Sequence, residues 1–240
     1  MQKIFIALLS FLLLCLSGCV PVDSLNPLYS ANNVIFDPGL LGRWATSDPD
    51  SSTFRFDRYD DDSYQMVVTG KSQSNLPGEA VFTAHLVSLG GEKYLDVEPR
   101  QFDRPSQMYL LHTDPEKKGS KFEPSLQQIA SGIYMEVSGP NPGKGTSQEM
   151  QVKIHPAHRI FKVYLREKSL TLDFLDREWV EEQIGKKLLQ ARHLNAKDEN
   201  GSNWVLSGST AELQQFVVHH ADDPGAFDSG WSMAKIDKTE

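Results

Sequence analysis

The chain has 240 residues, of which 39% are hydrophobic and 23% charged, and its formal net charge is −8. An acidic balance argues against nucleic-acid binding, which leans on Lys and Arg to neutralise phosphates, and against electrostatic docking on anionic lipid. The length fits one large domain or two small ones.

The first segment is a leader. Lys3 supplies a positive start, and Ile4 to Leu16 is apolar apart from Ser10 and Cys15. That stretch suits a signal-peptide core and falls short of the ~20 residues a transmembrane helix needs. Leu16-Ser17-Gly18-Cys19 resembles the lipobox of bacterial lipoproteins: a Leu, two small residues, then Cys. The resemblance implies cleavage between Gly18 and Cys19, a diacylglycerol on the Cys19 thiol and, often, acylation of the new amine. On the residues alone, an ordinary secretory signal with an incidental Cys stays open. In enterobacterial members of that family an Asp directly after the Cys retains the protein in the inner membrane. Val20 stands there, which implies the periplasmic side of the outer membrane where the host has one. Under this reading both cysteines of the chain are used or lost, leaving no thiol for a disulfide or a zinc site. Loss of Lys3 takes the charge from −8 to −9. Two or three acyl chains hold firmly where one holds marginally, so the body needs no span of its own.

Residues 19–37 read as a lipid-anchored tether, docked by Leu28, Tyr29, Val34 and Phe36. Pro21, Asn26-Pro27 and Asn32-Asn33 punctuate it, and 17 extended residues reach at most ~60 Å. A single β-rich domain is expected over 38–226. Phe54 and Phe56, then Tyr64, Met66 and Val68, alternate with polar neighbours around the Asp60-Asp61-Asp62 turn, which is a hairpin signal. Phe82 to Leu89 leads through Gly90-Gly91 into Tyr94 to Val97, a second hairpin. Met108–Leu111, Ile133–Val137 and Met150–Ile154 continue the series, and Ser138 to Gln148 reads as a long surface loop.

Further on, Phe161, Val163 and Leu165 alternate, Arg166-Glu167-Lys168 turns, and Leu170, Leu172 and Phe174 alternate again. The period then changes. Asp176 caps a helix predicted over 177–190, with Trp179, Val180, Ile184 and Leu188 on one face. Asn203 to Leu206 reads as a strand. Ser209 and Glu212 have capping-box spacing for a second helix over 210–220. Residues 227–240 read as a loose polar tail.

Strands in series joined by tight turns mean a mainly β, antiparallel domain, an open or closed barrel with two late helices packed on it. Gly42-Arg43-Trp44 resembles the Gly-x-Trp that opens lipocalin barrels. That resemblance implies a Trp44 that plugs the closed end and a late-strand Arg packed over it, with Arg166 the candidate and Arg159 the second. The late helix-strand-helix order departs from the lipocalin pattern. Pro156-Ala157-His158 before a strand and the capped Thr210-Ala211-Glu212-Leu213-Gln214 helix also look like uncharacterised bacterial lipoproteins, which implies no activity.

Chemical motifs are sparse. Gly143-Lys144-Gly145-Thr146 lacks phosphate-loop spacing, and Pro140 and Pro142 remove backbone donors. His155 and His158, and the adjacent His219 and His220, lack the partners of a zinc set. The Asp60 turn lacks the Gly and distal Glu of a calcium loop. Asp96 and Glu98 alternate outward as a polar strand face. No catalytic residue, metal or cofactor is expected. Two functions remain: a membrane-anchored module holding a lipid or other apolar ligand in its barrel, or a structural and interaction lipoprotein with a filled core.

Overall fold

The computed structural model describes residues 22–47, 52–71, 77–100, 125–130, 133–138, 151–194 and 204–236. In chain order, the strands before the first helix are β1 (Asp23–Ser24), β2 (Val34–Ile35), β3 (Gly42–Thr46), β4 (Thr53–Arg58), β5 (Tyr64–Lys71), β6 (Pro77–Leu89), β7 (Glu92–Pro99), β8 (Ser125–Ala130), β9 (Ile133–Ser138), β10 (Gln151–Pro156), β11 (His158–Leu165) and β12 (Ser169–Leu175). Then come α1 (Arg177–Gly185), β13 (Ala191–His193), β14 (Trp204–Leu206), α2 (Thr210–His219) and β15 (Phe227–Ile236).

Eight of these strands close a barrel in the order β3-β4-β5-β6-β7-β11-β12-β15, with β15 returning to β3, and every neighbouring pair is antiparallel. Each barrel strand pairs with the barrel strand next in sequence, so the topology is a lipocalin-like up-and-down meander. Two excursions interrupt it. Between β7 and β11 the chain forms a separate three-stranded sheet, β8-β9-β10. Between β12 and β15 it forms α1, β13, β14 and α2.

Alternation explains the barrel. Phe54 and Phe56, Ala84 and Leu86, Leu95 and Val97, Phe161 and Val163, and Leu170, Leu172 and Phe174 recur at every second position, and all belong to one buried cluster with Trp44, Met66 and Met233. Their neighbours point the other way; on β4 these are exposed Arg55 and Asp57.

A second buried cluster lies on the opposite face of the same wall. Val87, Tyr94 and Ile160, which alternate with the inward Leu86, Leu95 and Phe161, pack with Val180, Leu213, Phe216, Val217, Trp204 and Leu28. The two helices are therefore docked on the barrel through apolar stripes. Asp176 caps α1 by accepting from Trp179 N at 2.6 Å. At α2 the Ser209–Glu212 capping box is complete.

Three segments differ from their sequence reading. Residues 227–236 are not a loose tail but the eighth barrel strand, paired with β12 on one side and β3 on the other. Ser232 is exposed, while Met233 and Trp231 join the barrel core. The helix predicted to Gln190 stops at Gly185, because Lys187 turns left-handed (φ 60°) and Leu188 N bonds back to Gln183 O. From Val22 onward the tether is docked through Leu28, Tyr29 and Phe36 as expected, and differs in joining the sheet as a strap: β1 pairs with β11 and β14, and β2 pairs with β6. The strand expected at Met108–Leu111, and the Ser138–Gln148 loop after Ser138, lie outside the described residues.

Candidate functional site

Closure of the barrel starts in the sequence just before Trp44. Asp37 caps a single 3-10 turn, Pro38–Leu40, accepting from Gly39 N at 2.9 Å. That turn drives Leu40 into the barrel, where its carbonyl accepts a 2.9 Å bond from Trp44 Nε1. Tyr64 OH accepts from Asp37 N at 2.7 Å, and Phe36 stacks on the Tyr64 ring at 4.8 Å. Burial pushes the Tyr64 hydroxyl up to about 12, so it stays a neutral donor and acceptor. Gly42 sits at φ +118°, and a Cβ there would lie 3.2 Å from Lys235 Cε, which accounts physically for the Gly of Gly-x-Trp.

The cation over Trp44 is Lys235 of β15. Its Nζ lies 5.0 Å from the Trp44 ring and donates to Gly39 O at 3.1 Å. Arg166, the residue suggested by the lipocalin resemblance, is exposed in the β11–β12 turn, where its N–H closes the turn on Ser169 O. Arg159 is engaged elsewhere, 2.8 Å from Asp23. The resemblance missed Lys235 because it lies in the segment read as a tail.

Toward the other end, the barrel holds aromatic rings. Trp231 lies 4.7 Å from Phe54, 4.7 Å from Phe174 and 6.0 Å from Phe161 by ring centroids. An eight-stranded barrel is just wide enough to be filled by side chains or to hold one small ligand, and these rings occupy that width. Val68, Phe82 and Trp231 are only partly buried.

The second candidate site is on the outer wall, where the strap crosses β6, β7 and β11. Asp96 is 1% exposed and His158 5%. His158 Nδ1 is 2.7 Å from Asp96 Oδ1, and its Nε2 is 3.7 Å from Glu98 Oε2. The other Asp96 oxygen accepts from Leu28 N of the strap. Tyr29 then stacks on His85 at 3.8 Å and meets His158 edge-on at 6.1 Å. Burial, reinforced by the Glu98 and Asp96 charges, raises the Tyr29 hydroxyl to about 12. Burial opposes the imidazolium of His158, yet the hydrogen bond and charge of Asp96, with Glu98 behind them, leave its pKa raised.

A carboxylate on Nδ1 orients a histidine as in a catalytic dyad, but general-base catalysis then needs a nucleophile at Nε2. Glu98 approaches that nitrogen here. Ser24, the cross-strand partner of His158, directs its hydroxyl to Asn26 O at 2.8 Å. The arrangement is a clamp on the strap. Asp96 does point outward from the barrel, as alternation implied, but its face is covered by Leu28 and Tyr29. The 62-residue separation of Asp96 and His158 hides the pair from sequence reasoning, and neither Tyr29 nor His85 carried any chemical signal.

The other candidates stay apart. His220 packs on Trp179 and Phe216 and sits 2.6 Å from Asp223, while His219 is exposed. Asp60 accepts from Ser63 Oγ at 2.6 Å, a bond that holds its carboxyl below the usual range within a solvated turn. Among the described residues, no three of His, Cys, Asp and Glu gather as a metal site. Gly18 and Cys19 lie outside the described residues. Comparison with family models, curated proteins and solved structures finds no match to this chain.

Proposed function

We propose that this protein is a cell-envelope lipoprotein, held by acyl chains on Cys19, whose barrel is filled by its own side chains and acts as an interaction scaffold. The observation that carries this reading is Trp231 inside the barrel, ringed by Phe54, Phe161 and Phe174, with Leu40 and Trp44 sealing the end beyond. The anchor rests on Leu16-Ser17-Gly18-Cys19 behind a short apolar leader. Two observations fit a body outside the bilayer. No described helix is long and apolar enough to cross a membrane. The barrel also has apolar inward faces with Arg55 and Asp57 exposed on β4, the reverse of a membrane-spanning barrel. The reading requires no cofactor and no catalytic group, and it places the protein on the periplasmic side of the outer membrane where the host has one.

A second reading, a carrier of a lipid or other apolar ligand, is favoured by the partial exposure of Val68, Phe82 and Trp231. Mass spectrometry of lipid extracted from purified residues 20–240 separates the two. A filled scaffold yields no apolar species near one per chain and no rise in Tm with lipid. A carrier yields both, since ligand at a hundredfold its Kd stabilises by ~2.7 kcal/mol.

A further inference from the structure

The strap sets where the lipid anchor must lie relative to the barrel. Val22 is buried, and Asp23 pairs with Arg159 at 2.8 Å with only 3% of its side chain exposed. Leu25 N bonds to Leu206 O at 2.9 Å, Asn26 Nδ2 to Gly208 O at 2.9 Å, and Gln214 Nε2 to Leu28 O at 2.8 Å. The chain is therefore fixed to the barrel wall from Val22 onward. Cys19 is three residues earlier, a span of at most ~11 Å however extended, against the ~60 Å of a free 17-residue tether.

The exit point is also defined. β1 runs parallel to β14 with Ser24 opposite Leu206, so stepping two residues back along both strands brings Val22 level with Trp204. Trp204 Nε1 donates to Glu181 Oε1 of α1 at 3.1 Å. The chain thus leaves the body beside α1, on the β11 side of the barrel. Four strands round from β11 lies β4, whose exposed Arg55 and Asp57 occupy the far wall.

We infer that the lipid surface to which Cys19 is anchored lies against the α1–β14 side of the protein, and that β4 faces away from it. This rests on the lipid-anchor reading above. A three-residue link leaves the body no room to turn its far wall to the headgroups, so whatever the scaffold meets in the aqueous space is met by the β3–β5 wall.

The test uses the full-length lipidated protein in phosphatidylcholine vesicles carrying an energy acceptor on their headgroups. The only cysteines of the chain are Cys15 and Cys19, so Glu178→Cys on α1 and Asp57→Cys on β4 each give one reactive thiol for a donor dye. Transfer is expected to be several-fold greater from position 178 than from position 57. A Gly/Ser spacer of about 15 residues inserted after Val20, with a root-mean-square length of ~21 Å, is expected to erase most of that difference. Equal transfer from both positions in the unspaced, lipidated and vesicle-bound protein overturns the fixed face while leaving the anchor standing. A product of unmodified mass in the soluble fraction sinks the anchor itself, and the fixed face with it.

Discussion

Strands β7 and β11 are buried on both faces, and the two faces are built from different chemistry. Inward, Leu95, Val97, Phe161 and Val163 belong to the apolar cluster that fills the barrel. Outward, Tyr94 and Ile160 share their face with Asp96, His158 and Lys162, all buried. The covering layer makes the difference. Inside the barrel the backbone groups of the wall are largely spent on the strand ladders, so a buried charge there would find few partners and would cost several kcal/mol. Outside, irregular chain crosses the wall and brings free backbone groups with it. Leu28 N reaches Asp96, and Ala221 O, just past the end of α2, accepts from Lys162 Nζ at 2.9 Å. Ionisable groups are buried in this protein where strap and loop segments cover the wall.

The largest expected effect breaks the inner face through its backbone. A Cβ on Gly230 would lie 1.8 Å from Leu172 O, beside the irregularity where β12 and β15 change register between Leu172 and Phe174. The obstacle is main chain and cannot rotate away. Gly230→Ala is expected to cost more than the ~1–3 kcal/mol of ordinary overpacking, to the point of losing a cooperative urea transition. A fully cooperative variant within 1 kcal/mol of the parent, on the same ~1–3 kcal/mol scale, contradicts the close approach. Next comes Trp231→Ala, which empties the middle of the aromatic cluster. It is expected to cost about 3 kcal/mol, the low end for a core aromatic because Trp231 is partly exposed, measured as a lowered urea midpoint at unchanged slope. The cavity it leaves sharpens the functional contrast, because the variant should take up an apolar probe that the parent excludes.

The inner face was the more legible of the two in the sequence. Period-two alternation marked Phe54/Phe56, Leu170/Leu172/Phe174 and the Gly90-Gly91 hairpin directly, and alternation is what a barrel interior requires. The same rule set Asp96 on an outward polar face but left its burial unseen, because a period shows which residues share a face and not what covers that face. The cover is the strap, and its two strand-like dipeptides, Asp23–Ser24 and Val34–Ile35, are too short to carry a pattern. The last barrel strand was hidden for a related reason: in Phe227 to Ile236 the bulge at Gly230 shifts the phase, and Lys235 puts a charge on the face that Trp231 and Met233 share. Of the site, Trp44 was marked by its Gly-x-Trp setting, whereas Lys235 was not.

On the outer face the third prediction follows from His158. Its pKa is raised above the ordinary 6.5, so the stabilisation it brings is fully present below pH 6.5 and is lost as pH rises through the raised value. Asp96→Asn keeps an acceptor for Leu28 N but removes the charge. It is expected to cost about 1–3 kcal/mol below pH 6.5 and less above it, flattening the stability-against-pH curve in that window. A double variant with His158→Gln should then add little to the pH dependence. An Asp96→Asn curve parallel to the parent would place the titrating partner elsewhere.

The smallest effect tests the cation that meets Trp44 at the sealed end of the barrel. Lys235 lies over Trp44 yet is exposed enough to bond Gly39 O, so its attraction to the ring is screened and worth ~0.5–1 kcal/mol. Lys235→Met preserves the aliphatic contact with Gly42 and removes the charge together with its bond to Gly39 O, so the loss should stay at ~1 kcal/mol and shrink in high salt. Arg166→Met, in the exposed turn, should fall within about ±0.5 kcal/mol. If the Arg166 substitution were the costlier of the two, the cation over Trp44 would be the residue that the lipocalin resemblance names and not the one supplied by β15. Either result depends on the end of the barrel being sealed by Leu40, because a Trp44 ring open to water would gain nothing from a cation that water solvates better.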